Sequence, residues 1–240
     1  MRPVLLAAAL AVLVLAAPAS AGAASVELMV VGKDRVLREA APVRLRARTV
    51  RVGRHRCAVG RATPLSALAG TRLRIRLQDY GSCSRSPADA GALYVTQVGP
   101  DRRGGPRGWV YKVGRRAGTT GAADPSGAFG TGRRLRDGQR VLWFWCVKDA
   151  ADSCQRTLAV TPARSTAAPG ATVAVAVRGY DDSGAGVRVA GATVRLGAAT
   201  ATTGADGVAT LTAPDAAGRY RVTAEKPGLV RSFPARVVVG

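Results

Sequence analysis

The sequence predicts a mainly β protein with two domains: an α+β domain over residues 25–156 and an antiparallel β-sandwich over residues 157–240. Three observations support this prediction. Many short segments alternate apolar and polar residues with the two-residue period of a half-buried strand. A single short segment, in the first domain, carries the start and stop signals of a helix. Short β-rich segments separated by Gly, Pro and Asp fill the second domain at regular spacing.

Residues 1–21 carry the three parts of a secretory signal peptide. Arg2 precedes an apolar run over residues 4–17, and small residues follow up to Ala21. A charged start, a short apolar run and a small-x-small end are typical of such a leader. We expect cleavage after Ala21, with Ala23 as the alternative. The run is shorter than the ~20 residues of a spanning helix, and no later stretch is long and apolar enough, so we expect a secreted protein without a membrane span.

Strands and one helix of the first domain follow from local patterns. We expect strands at residues 25–31, 43–52, 72–77, 93–98, 109–113 and 141–147. The helix lies in the segment TPLSALAG, where Thr63 is the N-cap, Pro64 takes the first helical position and Gly70 follows the end. A helix crossing a mixed sheet is the expected architecture.

Two of these strands are cationic, in a chain whose formal charge is +21. Because period two places alternate side chains on one face, pairing of the two strands would present six arginines on one sheet surface: Arg44, Arg46, Arg48, Arg72, Arg74 and Arg76. Such a surface favours polyanions such as anionic cell-wall polymers, acidic glycans, anionic lipid or extracellular nucleic acid. The alternatives are the solvated face of an antiparallel sheet and the arginine-rich composition of a GC-rich genome. No nucleic-acid motif accompanies the charge, so we expect no specific nucleic-acid partner.

Four cysteines are present, and export favours their oxidation. Their even number fits two disulfides, for which three connectivities are possible. We favour Cys57 with Cys83 and Cys146 with Cys154. The second pair closes a short loop, and the first ties the loop before the helix to the loop after the second cationic strand. A zinc site is the competing interpretation, but there is no CxxC spacing and His55 is the only histidine, so we expect no metal.

The segment from Gly108 to Cys146 is the most informative stretch of the first domain. It reads G-W-x-Y-x-V, a long glycine-rich loop, and L-x-D-G-x-x-V-x-W with a tight turn at residues 136–139. This pattern resembles the transcobalamin C-terminal-like domain of bacterial surface proteins, in which the helix phrase T-P-L-x-A-L also occurs at this place. The resemblance implies a β-grasp fold that binds a soluble ligand. The family's V-N-G is V-G-R here, at residues 113–115, so the Asn side chain of that motif is missing.

Five aromatic residues of this segment are the candidate ligand-binding residues: Trp109, Tyr111, Phe129, Trp143 and Trp145. By the strand period, Trp109 and Tyr111 share one face, and so do Trp143 and Trp145. Because animal vitamin carriers use the related domain to cover cobalamin, the resemblance suggests a flat, corrinoid-like ligand. The alternative is that the aromatics form the core of a small sheet, above all Trp109 and Trp143. Trp145 and Phe129 are expected at the surface.

The second domain is expected to contain strands at residues 172–177, 187–196, 207–212, 219–224 and 235–239. Its sequence contains a G-A-x-V strand, a T-x-x-D-G turn and a G-x-Y-x-V-x-A strand. This set resembles carboxypeptidase regulatory-like and bacterial immunoglobulin-like modules. Such modules serve mostly as spacers or adhesive stalks, so the resemblance implies a structural role.

No group of residues forms a convincing catalytic set. His55 lies between two arginines and two positions before Cys57, which is expected to be bridged. Asp181 and Asp182 are adjacent, so on a strand they would point to opposite faces and make a poor acid–base pair. The glycine-rich loop lacks the G-x-x-x-x-G-K-[ST] order of a phosphate loop. The sequence therefore predicts neither catalysis nor a cofactor.

These features predict a secreted, non-catalytic binding or adhesion protein of the bacterial cell envelope or exterior, whose extracellular ligand the sequence does not name. The first domain would bind and the second would act as a spacer. The alternatives are a capture protein for a small, corrinoid-like molecule and a purely structural envelope component.

Overall fold

The computed structural model describes residues 24–240, so the predicted signal peptide at residues 1–21 lies outside the described residues. The chain is mainly β, as the sequence predicts. Its apolar side chains form two large cores, one from residues between Val26 and Trp145 and one from residues between Leu158 and Val239. Within the described residues, no helix has the length and apolarity to cross a bilayer.

The first half of the chain, up to residue 156, contains strands and two short helices. They are β1 (Ser25–Val31), β2 (Val36–Arg44), β3 (Arg48–Val52), β4 (His55–Val59), α1 (Pro64–Ala69), β5 (Ile75–Asp79), a 3₁₀ helix (Pro87–Ala90), β6 (Leu93–Val98), β7 (Asp101–Arg102), β8 (Arg107–Val113), β9 (Arg116–Ala117) and β10 (Arg140–Val147).

A mixed sheet organises this half, with strands in the order β2-β1-β10-β8-β9. The central strands β1 and β10 run parallel, and each is antiparallel to its outer neighbour. Helix α1 packs on one face, where Leu65 and Leu68 are fully buried in the first core. Burial of each such side chain stabilises the fold by about 1.5–3 kcal/mol. A mixed sheet crossed by a helix is the architecture that the β-grasp resemblance implies.

The helix begins and ends where its sequence indicates. The Thr63 hydroxyl accepts a hydrogen bond from the Ser66 amide (3.2 Å), and the Ser66 hydroxyl accepts one from the Thr63 amide (3.1 Å). This reciprocal capping satisfies amides that the first turn leaves without partners. It matters here because both residues are buried, away from water. Gly70 follows the last helical residue, as expected.

The first cationic segment is not one strand. Residues 43–52 divide between the end of β2 and β3, with a break at residues 45–47. There the Leu45 amide donates to the Ala24 carbonyl (2.8 Å), and the chain then leaves the mixed sheet to pair as β3 with β4. The alternation of arginine with apolar residues continues through the break. Such alternation indicates only which face of a strand each side chain lies on, and it does not indicate which strand is the pairing partner. The second cationic strand, expected at 72–77, lies slightly later, as β5.

The second half consists of strands and turns. The strands are β11 (Thr157–Pro162), β12 (Thr166–Ala167), β13 (Thr172–Tyr180), β14 (Gly186–Arg188), β15 (Thr193–Leu196), β16 (Ala199–Thr202), β17 (Val208–Thr212), β18 (Gly218–Glu225), β19 (Val230–Phe233) and β20 (Ala235–Val239).

Two sheets enclose the second core. One has the order β14-β13-β11-β19 with β17 also on β13, and the other has the order β12-β20-β18-β15-β16. Most pairs are antiparallel, but β11 with β19 and β12 with β20 run parallel, so the antiparallel prediction is wrong for these two pairs. Two parallel neighbours need a long connection between them. Here most of the second half of the chain lies between the two strands of each parallel pair. The expected strand 187–196 divides at a turn where Gly191 has a φ of +66°.

A smaller apolar cluster joins the two halves. Leu142 and Phe144 of β10 contact Val230 and Phe233 of β19 in this cluster. Because side chains alternate along a strand, Trp143 points to the opposite face and belongs to the first core. Strand β10 is therefore buried on both faces, which explains its unbroken apolar run VLWFWC.

Both disulfides form as the sequence favours. Cys57 pairs with Cys83 across a separation of 26 residues, and Cys146 pairs with Cys154 across 8 residues. No free cysteine lies within residues 24–240. Disulfides persist in oxidising compartments, so the two bridges fit an extracellular protein.

We expect the longer disulfide loop to contribute more stability than the shorter one. Loop-closure entropy predicts about 3.5 kcal/mol for the bridge of Cys57 and about 2.5 kcal/mol for that of Cys146. Urea unfolding of the two double Cys→Ala variants measures both contributions. Two or more free thiols in the oxidised, denatured wild-type protein would contradict the pairing.

Candidate functional site

The four aromatic candidates on β8 and β10 are buried in the first core. The antiparallel register places Tyr111 against Trp143, with ring centres 5.4 Å apart, and Trp109 against Trp145, with ring centres 5.8 Å apart. The expectation that Trp145 lies at the surface is wrong, because only 6% of it is exposed. The core covers this face of β10 along its length, so its last aromatic residue is enclosed with the others.

The polar atoms of Trp109, Tyr111 and Trp143 form hydrogen bonds with backbone carbonyls. Trp109 Nε1 donates to the Asp101 carbonyl (2.9 Å), and Trp143 Nε1 donates to the Pro64 carbonyl (3.2 Å). The Tyr111 hydroxyl donates to a carbonyl of the glycine-rich loop (2.9 Å), and burial raises its pKa. A ligand could stack on these rings only by displacing the core, so the structure does not bring the aromatic candidates together as a surface.

Phe129 lies apart from the other four aromatics. It is half-buried against the first core, and the Arg116 guanidinium carbon lies 5.1 Å from its ring centre. Both residues line a shallow hollow of about 600 Å³ that Ser183 and Gly184 of the second half also line. The ring is thus partly accessible, but it faces a cation and the second half of the chain.

A larger cavity, of about 790 Å³, lies at the junction of the two halves. Trp145 lines it together with apolar residues such as Val36 and Leu229, and the lining carries charges of both signs. Trp145 Nε1 is buried without a hydrogen-bond partner. Trp145 therefore reaches a cavity, although its ring belongs to the core.

The six predicted arginines do not share one sheet surface. Arg44 ends β2, Arg48 begins β3 and Arg76 lies in β5, and these strands belong to three different sheets. The remaining three lie in connecting segments: Arg46, Arg72 and Arg74. Strand β5 pairs with β6 and β3 pairs with β4, so the two cationic segments do not pair with each other. All six except the half-buried Arg48 are nevertheless exposed.

Arginines in this part of the first half lack acidic partners. Between residues 44 and 107 the chain has 14 arginines and three acidic residues. Among the described residues, no carboxylate forms an ion pair with any of the 14, because the ion pairs all involve basic residues further along the chain. This surface, which we call the arginine surface, therefore carries positive charge that the fold itself does not neutralise.

The three acidic residues of this segment are engaged elsewhere. Asp79 accepts hydrogen bonds from two backbone amides, at 3.0 and 2.8 Å. Asp101 accepts one from the Lys33 amide (2.9 Å), and Asp89 accepts one from the Ser84 hydroxyl (2.5 Å). These contacts hold turns, and none of the three carboxylates forms an ion pair with an arginine of this segment.

A groove lies within the arginine surface, between the tip of the β3–β4 hairpin and the outer face of the sheet β5-β6-β7. Its volume is about 730 Å³, and its basic lining residues are His55, Arg76, Arg102 and Arg103. Sequence reasoning named Arg76 and missed Arg102 and Arg103. The dipeptide Arg-Arg before Gly-Gly-Pro was a usable signal, because it places two cations at a tight turn.

Lys112 is the buried charged group that sequence reasoning missed. It lies on β8 with no part of its side chain exposed. Its ammonium donates to the carbonyls of Tyr180 (3.0 Å) and Asp181 (2.8 Å) and to the Thr157 hydroxyl (3.3 Å), and it lies 3.6 Å from the Asp182 carboxylate. The sequence signal for this buried charge was a lysine within the otherwise apolar strand segment WVYKV.

The electrostatics of Lys112 favour a structural role. Burial lowers its pKa, and the carboxylates of Asp182 and Asp181 oppose that shift. Three oxygen acceptors match the three N–H groups of an ammonium. Because the amine cannot reach solvent, it joins the two halves and is not available to a substrate.

Comparisons with known proteins place this chain in no family. No protein-family model matches it, and no curated protein matches it. Among solved structures, the D00-D0 domain of intimin is 18% identical and covers 73% of this chain and 81% of that chain, with a TM-score of 0.28. A TM-score this low does not establish a shared fold.

Proposed function

We propose that the protein is a secreted, non-catalytic binding protein whose arginine surface holds an anionic polymer of the cell envelope or exterior, such as a wall polymer or an acidic glycan. The observation that supports this proposal is that, within the part of the chain that the structure describes, no carboxylate forms an ion pair with any arginine between residues 44 and 107. Unpaired like charges repel one another and raise the free energy of the folded state. An external polyanion removes that repulsion.

Arginine suits this role better than lysine would. Its planar guanidinium binds carboxylate, sulfate or phosphate groups through two parallel hydrogen bonds and keeps its charge at all relevant pH values. The region between residues 44 and 107 contains 14 arginines and no lysine. An arginine-rich composition explains the number of arginines in this region. It does not explain why all three nearby carboxylates accept hydrogen bonds from other donors and form no ion pair with an arginine.

The corrinoid alternative loses its aromatic surface in this structure. Trp109, Tyr111, Trp143 and Trp145 are at most 6% exposed, so no flat ligand can stack on them without unfolding the core. In the second half, Arg195, Arg221 and Arg231 form ion pairs with carboxylates, for example Arg195 with Glu225 at 2.8 Å. The proposed role of the second half is that of a spacer fixed to the first half through the junction.

We expect removal of charge from the arginine surface to weaken polyanion binding selectively. The test variant carries four Arg→Gln substitutions: Arg44, Arg46, Arg72 and Arg74. Each exposed contact contributes about 0.2–1 kcal/mol, so we expect roughly tenfold weaker binding to heparin. The slope of log affinity against log salt should fall by roughly three.

The matched control removes the same charge from exposed arginines of the second half: Arg164, Arg188, Arg219 and Arg236. Affinity chromatography on heparin and titration at several salt concentrations compare the two variants. An equal loss in both would show that net charge alone governs retention, and the arginine surface would not be the binding site.

A further inference from the structure

A second hollow adjoins the groove on the arginine surface at Arg103. The first hollow holds about 730 Å³ and contains Arg76 and Arg102, and the second holds about 350 Å³ and contains Tyr80 and Tyr94. Arg103 lines both hollows, and we call the two together the Arg103 groove.

Arg103 is held in position without losing its charge. Its Nη1 donates to the Tyr80 hydroxyl (2.9 Å), and its guanidinium carbon lies 5.3 Å from the centre of the Tyr94 ring. Both contacts orient the guanidinium, and neither supplies a negative charge. The carboxylates in the groove are occupied: Asp79 accepts from two backbone amides, and Asp152 pairs with Lys148 at 2.7 Å. The groove therefore presents the oriented guanidinium of Arg103, which forms no ion pair within the described residues, beside Arg76 and Arg102.

Tyr80 adds an open aromatic face to these cations. It is 60% exposed, more than any other large hydrophobic side chain within residues 24–240. Its ring centre lies 6.2 Å from that of Tyr94 in an edge-to-face arrangement, which fixes one edge and leaves the ring accessible. An exposed ring of this kind is suited to the apolar C–H face of a sugar.

The backbone makes room for this arrangement. A Cβ on Gly108 would lie 2.8 Å from the Tyr94 hydroxyl, so a side chain at this position would require the Tyr94 side chain to shift. Gly105, in the turn that follows Arg103, has a φ of +55°, which a side chain would strain. The first glycine of the G-W-x-Y-x-V motif thus has a definite steric role beside the groove.

We propose that the Arg103 groove binds an acidic polysaccharide, with carboxylate or sulfate groups on Arg76, Arg102 and Arg103 and a sugar ring on Tyr80. This inference rests on the proposed function and names its substrate class. Single-stranded nucleic acid is bound on successive aromatic platforms. The groove offers one open ring beside several guanidinium groups, which matches a polymer with charge on its sugar units.

Binding of oligogalacturonate, polyphosphate and single-stranded oligothymidylate to the mature protein tests this proposal by calorimetry. Tyr80→Ala should bind oligogalacturonate about tenfold more weakly than Tyr80→Phe, and the two variants should bind polyphosphate equally, because both lose the hydrogen bond to Arg103 and polyphosphate has no ring to stack. Tyr80→Phe should keep most of the affinity, since it retains the ring and loses only the hydrogen bond to Arg103. Arg103→Gln should weaken both ligands. Arg219→Gln, in the second half, is the charge control.

The outcomes separate this proposal from the general one. If the wild type binds oligogalacturonate and all groove variants bind it equally well, the Arg103 groove is not the site, while polyanion binding stands. If the wild type binds none of the three polymers, the proposed function itself fails. If Tyr80→Ala reduces oligothymidylate binding and the wild type prefers that ligand, the polysaccharide assignment is overturned in favour of nucleic acid.

Discussion

Replacing Trp143 with alanine should lower the free energy of unfolding by about 3–5 kcal/mol. Only 1% of Trp143 is exposed, its ring packs against Tyr111, and its Nε1 donates to the Pro64 carbonyl at the start of the helix. The substitution removes the ring that connects β10, β8 and α1 and leaves a cavity among them. Domains are stable by about 5–15 kcal/mol in total, so the first half of this variant should be marginally stable.

Urea unfolding followed by near-ultraviolet circular dichroism measures this loss. Tyr220→Ala is the aromatic control, because Tyr220 is half-buried in the second half and only partly packed on its core. Trp145→Ala should behave like Trp143→Ala, since its ring is in the same core. A Trp145→Ala variant that kept full stability and lost affinity for a corrinoid would restore the aromatic-surface interpretation.

The Lys112→Met substitution should destabilise the protein by about 3 kcal/mol. Methionine fills a similar volume but leaves the carbonyls of Tyr180 and Asp181 without their donor and Asp182 without its cation. Removing one partner of a buried charged pair is costly because the other partner has lost its hydration. Asp182 is 31% exposed, so water can offset part of the loss, and we expect the lower end of the usual range.

The same variant should change the pH dependence of stability. Burial lowers the pKa of folded Lys112 below its ordinary value of 10.5. Between the lowered pKa and 10.5 the unfolded chain binds more protons than the folded chain, so stability should rise with pH across this window. Lys112→Met should lack this rise, whereas Lys33→Met, at an exposed lysine, should keep it. Parallel pH profiles for the wild type and Lys112→Met would refute the buried-charge account.

Loss of Lys112 should also weaken the connection between the halves. The junction consists of the apolar cluster around Phe144 and Phe233 and the oxygen cage around the Lys112 ammonium. The apolar cluster and the oxygen cage both lie on the face of the mixed sheet opposite to the face that helix α1 covers. If the second half is a spacer, this junction determines how the arginine surface is presented, although no junction residue belongs to that surface.

Local chemistry explains the features that could be predicted. The helix is recognisable because Thr63, Pro64 and Gly70 act on their nearest neighbours. The disulfide of Cys146 with Cys154 is recognisable because the two cysteines are only eight positions apart along the chain. Strand β6 was placed correctly because alternation with a period of two is a property of the strand itself.

The site was harder to predict because it depends on contacts between distant segments. Trp145 follows the pattern of a strand end near a loop, yet the core encloses it. Arg76 and Arg103 are 27 positions apart and line the same groove only because β5, β6 and β7 form one sheet beside the β3–β4 hairpin. No sequence pattern around Tyr80 predicts that its ring is exposed. Its exposure follows from the turn that Asp79 stabilises.

The sequence by itself determined that the chain is mainly β, that its cysteines pair as two bridges and that its first half is rich in arginine, because each of these properties depends on composition or on neighbouring residues. Tertiary structure alone decided which strands pair, which aromatic rings enter the core and which arginines share a groove. The physical reason is that strand pairing joins residues remote in sequence, and period two specifies only the face of each side chain. Burial of Trp145 and exposure of Tyr80 are therefore properties of the fold.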